Sequence, residues 1–420
     1  MAISKKSTKI NRYMLSGAQK KSGVNTWRYV FTGVENATGQ ERRFFIELSM
    51  LNPFLSPSEP VLGYKNRVKI QPEDLQNVLA GTISAQKLET ENIETPSYVV
   101  VRAGVYGAGA KQCCLYSAIK NIRNNPKIYE ISVETCFFSA DRLIGHLDIS
   151  PEDLQEHPEY LCDSGMINWD LHYEIRRSFE KGYSSKVYSW LATGVRAVFA
   201  GSITIDGKVY NVIPKKSFGY IDRNYGKNNS YPWLHLSSSN LTSIITGKTL
   251  QESAFAVQGI YNDRVSVIVD FEGNQVAFEA NKGLSSYEAH WNFTQSPEND
   301  SQEKLHWTIS VHNKKYVIDI DVFCIAPLMF VRSFELPEGK RNILKVLSGS
   351  TGTGEIRLYK RIHKNLELIE HAEIAGALCE FGQKEESESY KRILNPHIYK
   401  VSITEKLKDL KMDFIKKNIK

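Results

Sequence analysis

Ser217-Phe218-Gly219-Tyr220-Ile221-Asp222-Arg223-Asn224-Tyr225-Gly226, followed closely by Tyr231-Pro232-Trp233-Leu234-His235-Leu236, is the stretch from which the architecture of this 420-residue chain can be read. It sets an acid, a guanidinium, an amide, a histidine and several aromatic rings between two segments of β character, bracketed by glycines and an Asn-Tyr-Gly turn. The pattern predicts polar groups placed where strands meet, a usual position for a site.

Working outward, β character persists on both sides. Upstream lie Ile167–Ile175, Val195–Ile205 and Lys208–Val212; downstream come Ala254–Ile260, Val265–Phe271, Leu305–Val311, Lys315–Ile325 and Gly354–Arg361. Nearer the start, Trp27–Thr32 and Arg43–Leu48 flank a short polar loop and predict a hairpin, and Tyr98–Ala103 and Gln112–Tyr116 predict two more strands. Helical signals are few: residues 71–90 with Pro72 at the start, and 151–155, where Ser150 and Asp153 form a capping-box pattern. Gly104, Gly107 and Gly109 lead into a strand and not a helix, so they predict a turn, not a phosphate cradle. The run Ser348–Gly354 lacks the ending of a P-loop and is expected to be a loop between strands.

Many short strands with few helices indicate an all-β barrel or sandwich, and there are too many strands for one small barrel. The expected organisation is a disordered tail over 1–10, a β domain over 11–216, a second over 217–382 and a charged tail over 383–420. In that tail Ile403, Leu407, Leu410 and Phe414 have helical spacing, so a C-terminal helix is expected, docked on a barrel, on a partner subunit or on an anionic membrane surface.

A net charge of +6 from 53 basic and 47 acidic residues is mild, and the dense basic runs lie at the two ends, which argues against a nucleic-acid partner. No run of eighteen apolar residues and no secretory leader pattern occurs, so a cytoplasmic protein is expected. Cys113, Cys114, Cys136, Cys162, Cys324 and Cys379 show no metal-ligand spacing and are expected to be free thiols and not a structural zinc site. Neither a serine-hydrolase elbow nor a His-Glu-x-x-His motif is present.

Gly201–Gly207, Gly219–Gly226 and Trp233–Leu236 together resemble the central signature of the tocopherol cyclase family, with Tyr225 where that family usually carries Trp. Trp169-Asp170-Leu171, Gly354–Tyr359 and Ala377–Gly382 extend the resemblance over residues 160–382. It implies a mainly β fold of two lipocalin-like antiparallel barrels side by side. It also implies a reaction, closure of a prenylated hydroquinone to a chromanol by protonation of an alkene without metal or redox cofactor.

Alkenes are weak bases, so such chemistry needs a strong acid in a dry cavity. Asp222, matched to the acidic position of the family turn, is the first candidate donor and Asp170 the second, with His235 placed to relay or accept the phenol proton. Trp169, Tyr220, Tyr225 and Trp233 offer ring faces to a cation, and His172 and Asn224 offer polar contacts to a ligand oxygen. The partner implied is a hydrophobic small molecule in an apolar barrel cavity. The alternative from the same residues is a carrier or sensor that binds such a molecule without converting it. Oligomeric state is not encoded in any motif found.

Overall fold

The structure, a computed structural model, describes residues 22–62, 72–84, 95–125, 128–179, 182–184, 188–227, 233–261, 264–280, 288–295, 304–339 and 342–385. The alternation of Val24–Glu35 sets its first half. Trp27, Tyr29 and Phe31 turn to one side and meet Phe44, Ile46 and Leu48 of the paired strand Glu41–Leu51. Phe138, Leu143, Trp169, Tyr173, Phe199 and Ile221 complete this first core. Thirteen strands form the sheet, on a path from Lys111–Ser117 through Tyr98–Val105, Glu41–Leu51, Val24–Glu35, Lys208–Val212 and Tyr188–Ile205 to Gly165–Arg177 and Arg142–Ile149. Lys111–Ser117 comes back against Arg142–Ile149 and Gly165–Arg177, which makes the sheet barrel-like.

Eleven strands between Trp233 and Glu385 form a second antiparallel sheet, with Trp233–Ser238, Asn365–Glu385 and Ile343–Ile362 adjacent at its centre. Leu236, Phe255, Val267, Trp307, Ile320 and Ile356 fill its core. Val30, Phe45, Trp190 and Tyr220, which belong to strands of the first sheet, also lie in this second core. The outer face of the first sheet is therefore covered by the second, and the seam between them is buried.

Several expectations change. Gly219–Gly226 is one continuous strand paired on both sides, with Val24–Glu35 and with Tyr188–Ile205, so Asp222, Arg223 and Asn224 sit mid-strand and not at a turn. It belongs to the first sheet, and the second sheet begins at Trp233. Both faces of this strand are buried, so its polar residues mark an interior contact in the middle of a strand and not a junction between strands.

Ser348–Gly354 is likewise no loop. It lies inside the strand Ile343–Ile362, whose register shifts between Gly349 and Gly352 and again before Gly354. A Cβ on Gly354 would run into the carbonyl oxygen of Asp321, so the glycine is there for close approach of two strands.

The first helix is Pro72–Leu79, shorter than expected, and Pro151–Glu156 carries the capping box between Ser150 and Asp153. The second sheet extends to Glu385, and the tail helix expected beyond it, like the tail over 1–10, lies outside the described residues. Among the described residues no helix is long and apolar enough to cross a membrane.

Candidate functional site

Strand register alone lines up four charges across the first sheet. Arg102 stands opposite Glu47, Glu47 opposite Arg28, and Arg28 opposite Asp222. Opposite charges on facing positions attract, so the row is self-consistent. The second sheet carries its own row, with Gln258 opposite His235, His235 opposite Glu380 and Glu380 opposite Ser348. Because side chains alternate along a strand, Arg28, Tyr220, Asp222 and Asn224 face the seam while Trp27, Ile221 and Tyr29 face the first core.

Arg28 joins the two rows. Its Nε and Nη2 donate to Asp222 Oδ1 and Oδ2 at 3.1 and 2.7 Å, and its Nη1 donates to Glu380 Oε2 at 2.7 Å. Arg332, from strand Phe330–Glu335, crosses the other way and donates to both oxygens of Glu47 at 3.0 and 2.6 Å. Its Nη1 also stands 3.9 Å from Glu380 Oε1, which Ser348 Oγ approaches at 3.2 Å. Burial works against the charge on Arg28, but Asp222 and Glu380 more than offset it and hold the guanidinium protonated.

Asp222 is fully buried. Besides Arg28 it accepts from Tyr220 Oη at 2.9 Å, Trp190 Nε1 at 3.2 Å and Asn224 Nδ2 at 3.4 Å. Burial pushes its pKa above the usual carboxylate value, and the Arg28 charge pulls it part of the way back. Five N–H and O–H donors crowd its two oxygens and favour the charged form against that burial.

A second polar chain crosses the seam beside it. Asn224 Oδ1 accepts from Tyr188 Oη at 2.6 Å and from Gln258 Nε2, whose Oε1 faces His235 Nδ1 at 3.1 Å. Ser237 Oγ meets the other ring nitrogen at 3.0 Å. Burial, followed by the charge of Arg28, pushes His235 well below the ordinary histidine pKa, so the ring is neutral and both nitrogens are engaged inside the protein.

Asp222, Tyr220, Asn224 and His235 are thus brought together, with the Tyr220 and His235 rings 5.2 Å apart. The other candidates are elsewhere. Asp170 lies on the exposed face of Gly165–Arg177, paired with Arg142 at 2.9 Å, and that hydrogen bond holds its carboxyl below the ordinary value. His172 is exposed on the same face, and Trp169 packs in the first core against Gly145. Tyr225 is half-buried on the face of the strand turned away from the seam, and the side chain of Trp233 lies outside the described residues.

Two cavities flank the charges. One of about 40 Å³ is lined by Arg28, Glu47, Arg332, Glu380 and Asn224 with Phe334, Leu344 and Val346; Asp222 does not reach it. The other is an open groove of about 290 Å³ lined by Arg43, Tyr106, Phe218 and Leu328 among others. Tyr106 links them, since its phenol lies within electrostatic reach of Arg332, Glu380, Glu47 and Arg28. Both spaces lie at the seam and carry charged side chains on their walls. Among the described residues no group of three or more His, Cys, Asp or Glu side chains is placed to hold a metal ion.

No protein-family model matches the sequence, and neither does any curated protein. The crystal structure of kievitone hydratase from Nectria haematococca is similar over 89% of this chain and 94% of its own, at 10% identity and a TM-score of 0.37, a likeness too loose to speak for chemistry.

Proposed function

We propose that the chain is an acid–base enzyme of the cyclase or isomerase type, acting on a hydrophobic small molecule whose reacting end enters the seam at Glu380. The observation that carries this reading is that Glu380 lines the cavity on the charged row while sharing Arg28 with the sealed Asp222. Asp222 was the donor expected from the sequence, but it is walled in by its five donors. Two carboxylates line that cavity; Glu47 has both oxygens held by Arg332, which leaves Glu380 as the proton donor of this reading.

Arg28 makes one of its three carboxylate hydrogen bonds to Glu380 and two to Asp222, so neutralising Glu380 weakens fewer charge-assisted contacts. Ligand entry, by removing water, raises the stability of the neutral acid over the ion and loads Glu380 for donation. Transfer of that proton to an alkene carbon leaves a cation for the ligand's own phenol oxygen to capture. The phenol proton then returns to Glu380, and the cycle closes with no net change in the protein. Asp222 and Arg28 act as positioning residues that hold the carboxyl in place.

The tocopherol cyclase resemblance of Gly219–Gly226 and Ala377–Gly382 supports a prenylated hydroquinone as the ligand class. Glu380→Gln tests the assignment: turnover of a prenylated hydroquinone should fall by about a hundredfold or more, the usual weight of a general acid, while binding persists. Unchanged turnover removes Glu380 from the chemistry. Binding without conversion by the wild-type protein favours a carrier.

A further inference from the structure

We propose that the 290 Å³ groove is a binding site for the carboxylate of a small organic acid, received by Arg43 and Tyr106. The site stands apart from the acid–base reading, since binding alone would fill it.

Arg43 is more than nine-tenths buried, and it is held differently from the other seam guanidiniums. Arg28 and Arg332 meet carboxylates. Arg43 instead donates Nη1 and Nη2 to the backbone carbonyls of Gly376 and Phe218, both at 3.1 Å, and its Nε has no hydrogen-bond partner among the described residues. Burial lowers its pKa to about 10, which leaves it charged at neutral pH. The groups whose charge would raise it again are Tyr106 and Cys379, and burial pushes both of those up, so both are neutral. A buried cation is ordinarily paired. This one is not.

Tyr106 repeats the pattern in the same groove: its phenol is buried and its hydroxyl has no partner among the described residues. An N–H and an O–H are the kinds of donor that the two oxygens of a carboxylate accept from. Glu41, which also lines the groove, is paired with Lys216 at 3.0 Å. Phe218, Leu328 and Ala108 give the groove apolar wall for the body of the acid. Its volume is near the lower end of small-molecule sites, ~300 to 1,000 Å³.

Calorimetric titration of the full chain with benzoate, with its neutral analogue benzamide and with inorganic phosphate tests the site. A hydrogen bond to a charged group is worth enough that benzoate should bind about tenfold or more tighter than benzamide. Arg43→Met should abolish that preference. That change also strips two backbone carbonyls of their donor, so Tyr106→Phe serves as a second variant, which leaves Arg43 in place and should weaken benzoate while leaving benzamide alone. Equal binding of benzoate and benzamide, no saturable binding of benzoate, or benzoate affinity indifferent to Tyr106→Phe would each overturn the proposal. Phosphate binding tighter than benzoate would overturn the carboxylate assignment and identify the groove as a site for a free inorganic anion.

Discussion

Arg28→Met removes the cation that two buried carboxylates share, and its consequences can be worked out from the contacts. Three charge-assisted hydrogen bonds of 2.7, 2.7 and 3.1 Å are lost, two to Asp222 and one to Glu380. Breaking a buried pair by deleting one partner destabilises by about 3–5 kcal/mol, because the other partner is left charged and uncompensated. Two neighbouring carboxylates in a water-poor seam do not both stay ionised, so one takes up a proton at neutral pH. Burial already raises Asp222 with Arg28 present, and Glu380's charge adds to it; without Arg28 the rise is larger.

A carboxyl whose folded-state pKa lies above its unfolded value binds its proton more tightly in the fold. Its contribution to stability is therefore complete below the unfolded value and is lost as pH rises through the folded one. Each pH unit in that window is worth about 1.4 kcal/mol for one proton. Urea unfolding of the variant and the wild type at several pH values between about 5 and 8 should show a deficit that widens with pH at up to that slope. A deficit that is the same at both ends of the range, or one below about 1 kcal/mol, as for a surface pair, would refute the reasoning.

Three further expectations follow from the same contacts. His235 should show no imidazole titration by NMR between about pH 5 and pH 8, and a midpoint near the ordinary ~6.5 would contradict its burial beneath Arg28. Gly354→Ala should destabilise by ~1–3 kcal/mol in urea unfolding, since the added carbon meets the Asp321 carbonyl; a neutral effect would mean the strands part easily there. Asp170→Asn should leave turnover unchanged, because the pair with Arg142 is exposed and outside the seam; a drop in turnover would bring that face back into the site.

The β character of the chain was legible because aromatic and β-branched residues alternate through Trp27–Thr32 and Arg43–Leu48, and those segments do pair as a hairpin. What could not be read was which sheet a strand joins. Gly219–Gly226 looks like the start of a new unit, yet its partners begin near residue 24 and residue 188, and nothing local specifies such distant pairing. The site was half visible for the same reason. Tyr220, Asp222 and Asn224 announce themselves as polar groups in an otherwise apolar run, but their meaning depends on Arg28, 194 residues from Asp222, and on Glu380, 352 residues from Arg28.

A signal for both was present. Arg28 interrupts a strand whose neighbours on each side are large and apolar, and Glu380 sits between Cys379 and Phe381 in the run Ala377–Gly382. A charge at such a position is buried against something, and only the fold says what. Arg43 was missed in the same way, as one basic residue in the first hairpin. The packing that leaves its Nε without an acceptor is a property of the two sheets together.

The most direct test of the seam as a proton-transfer site is to incubate the protein with a prenylated hydroquinone in D₂O and follow the product by mass spectrometry. Wild-type protein should form a cyclised product with one deuterium on the carbon that was the alkene, and Glu380→Gln should slow its formation by about a hundredfold or more. Recovery of unconverted hydroquinone from the wild-type protein, or deuterated product formed at the wild-type rate by the Gln variant, would contradict it.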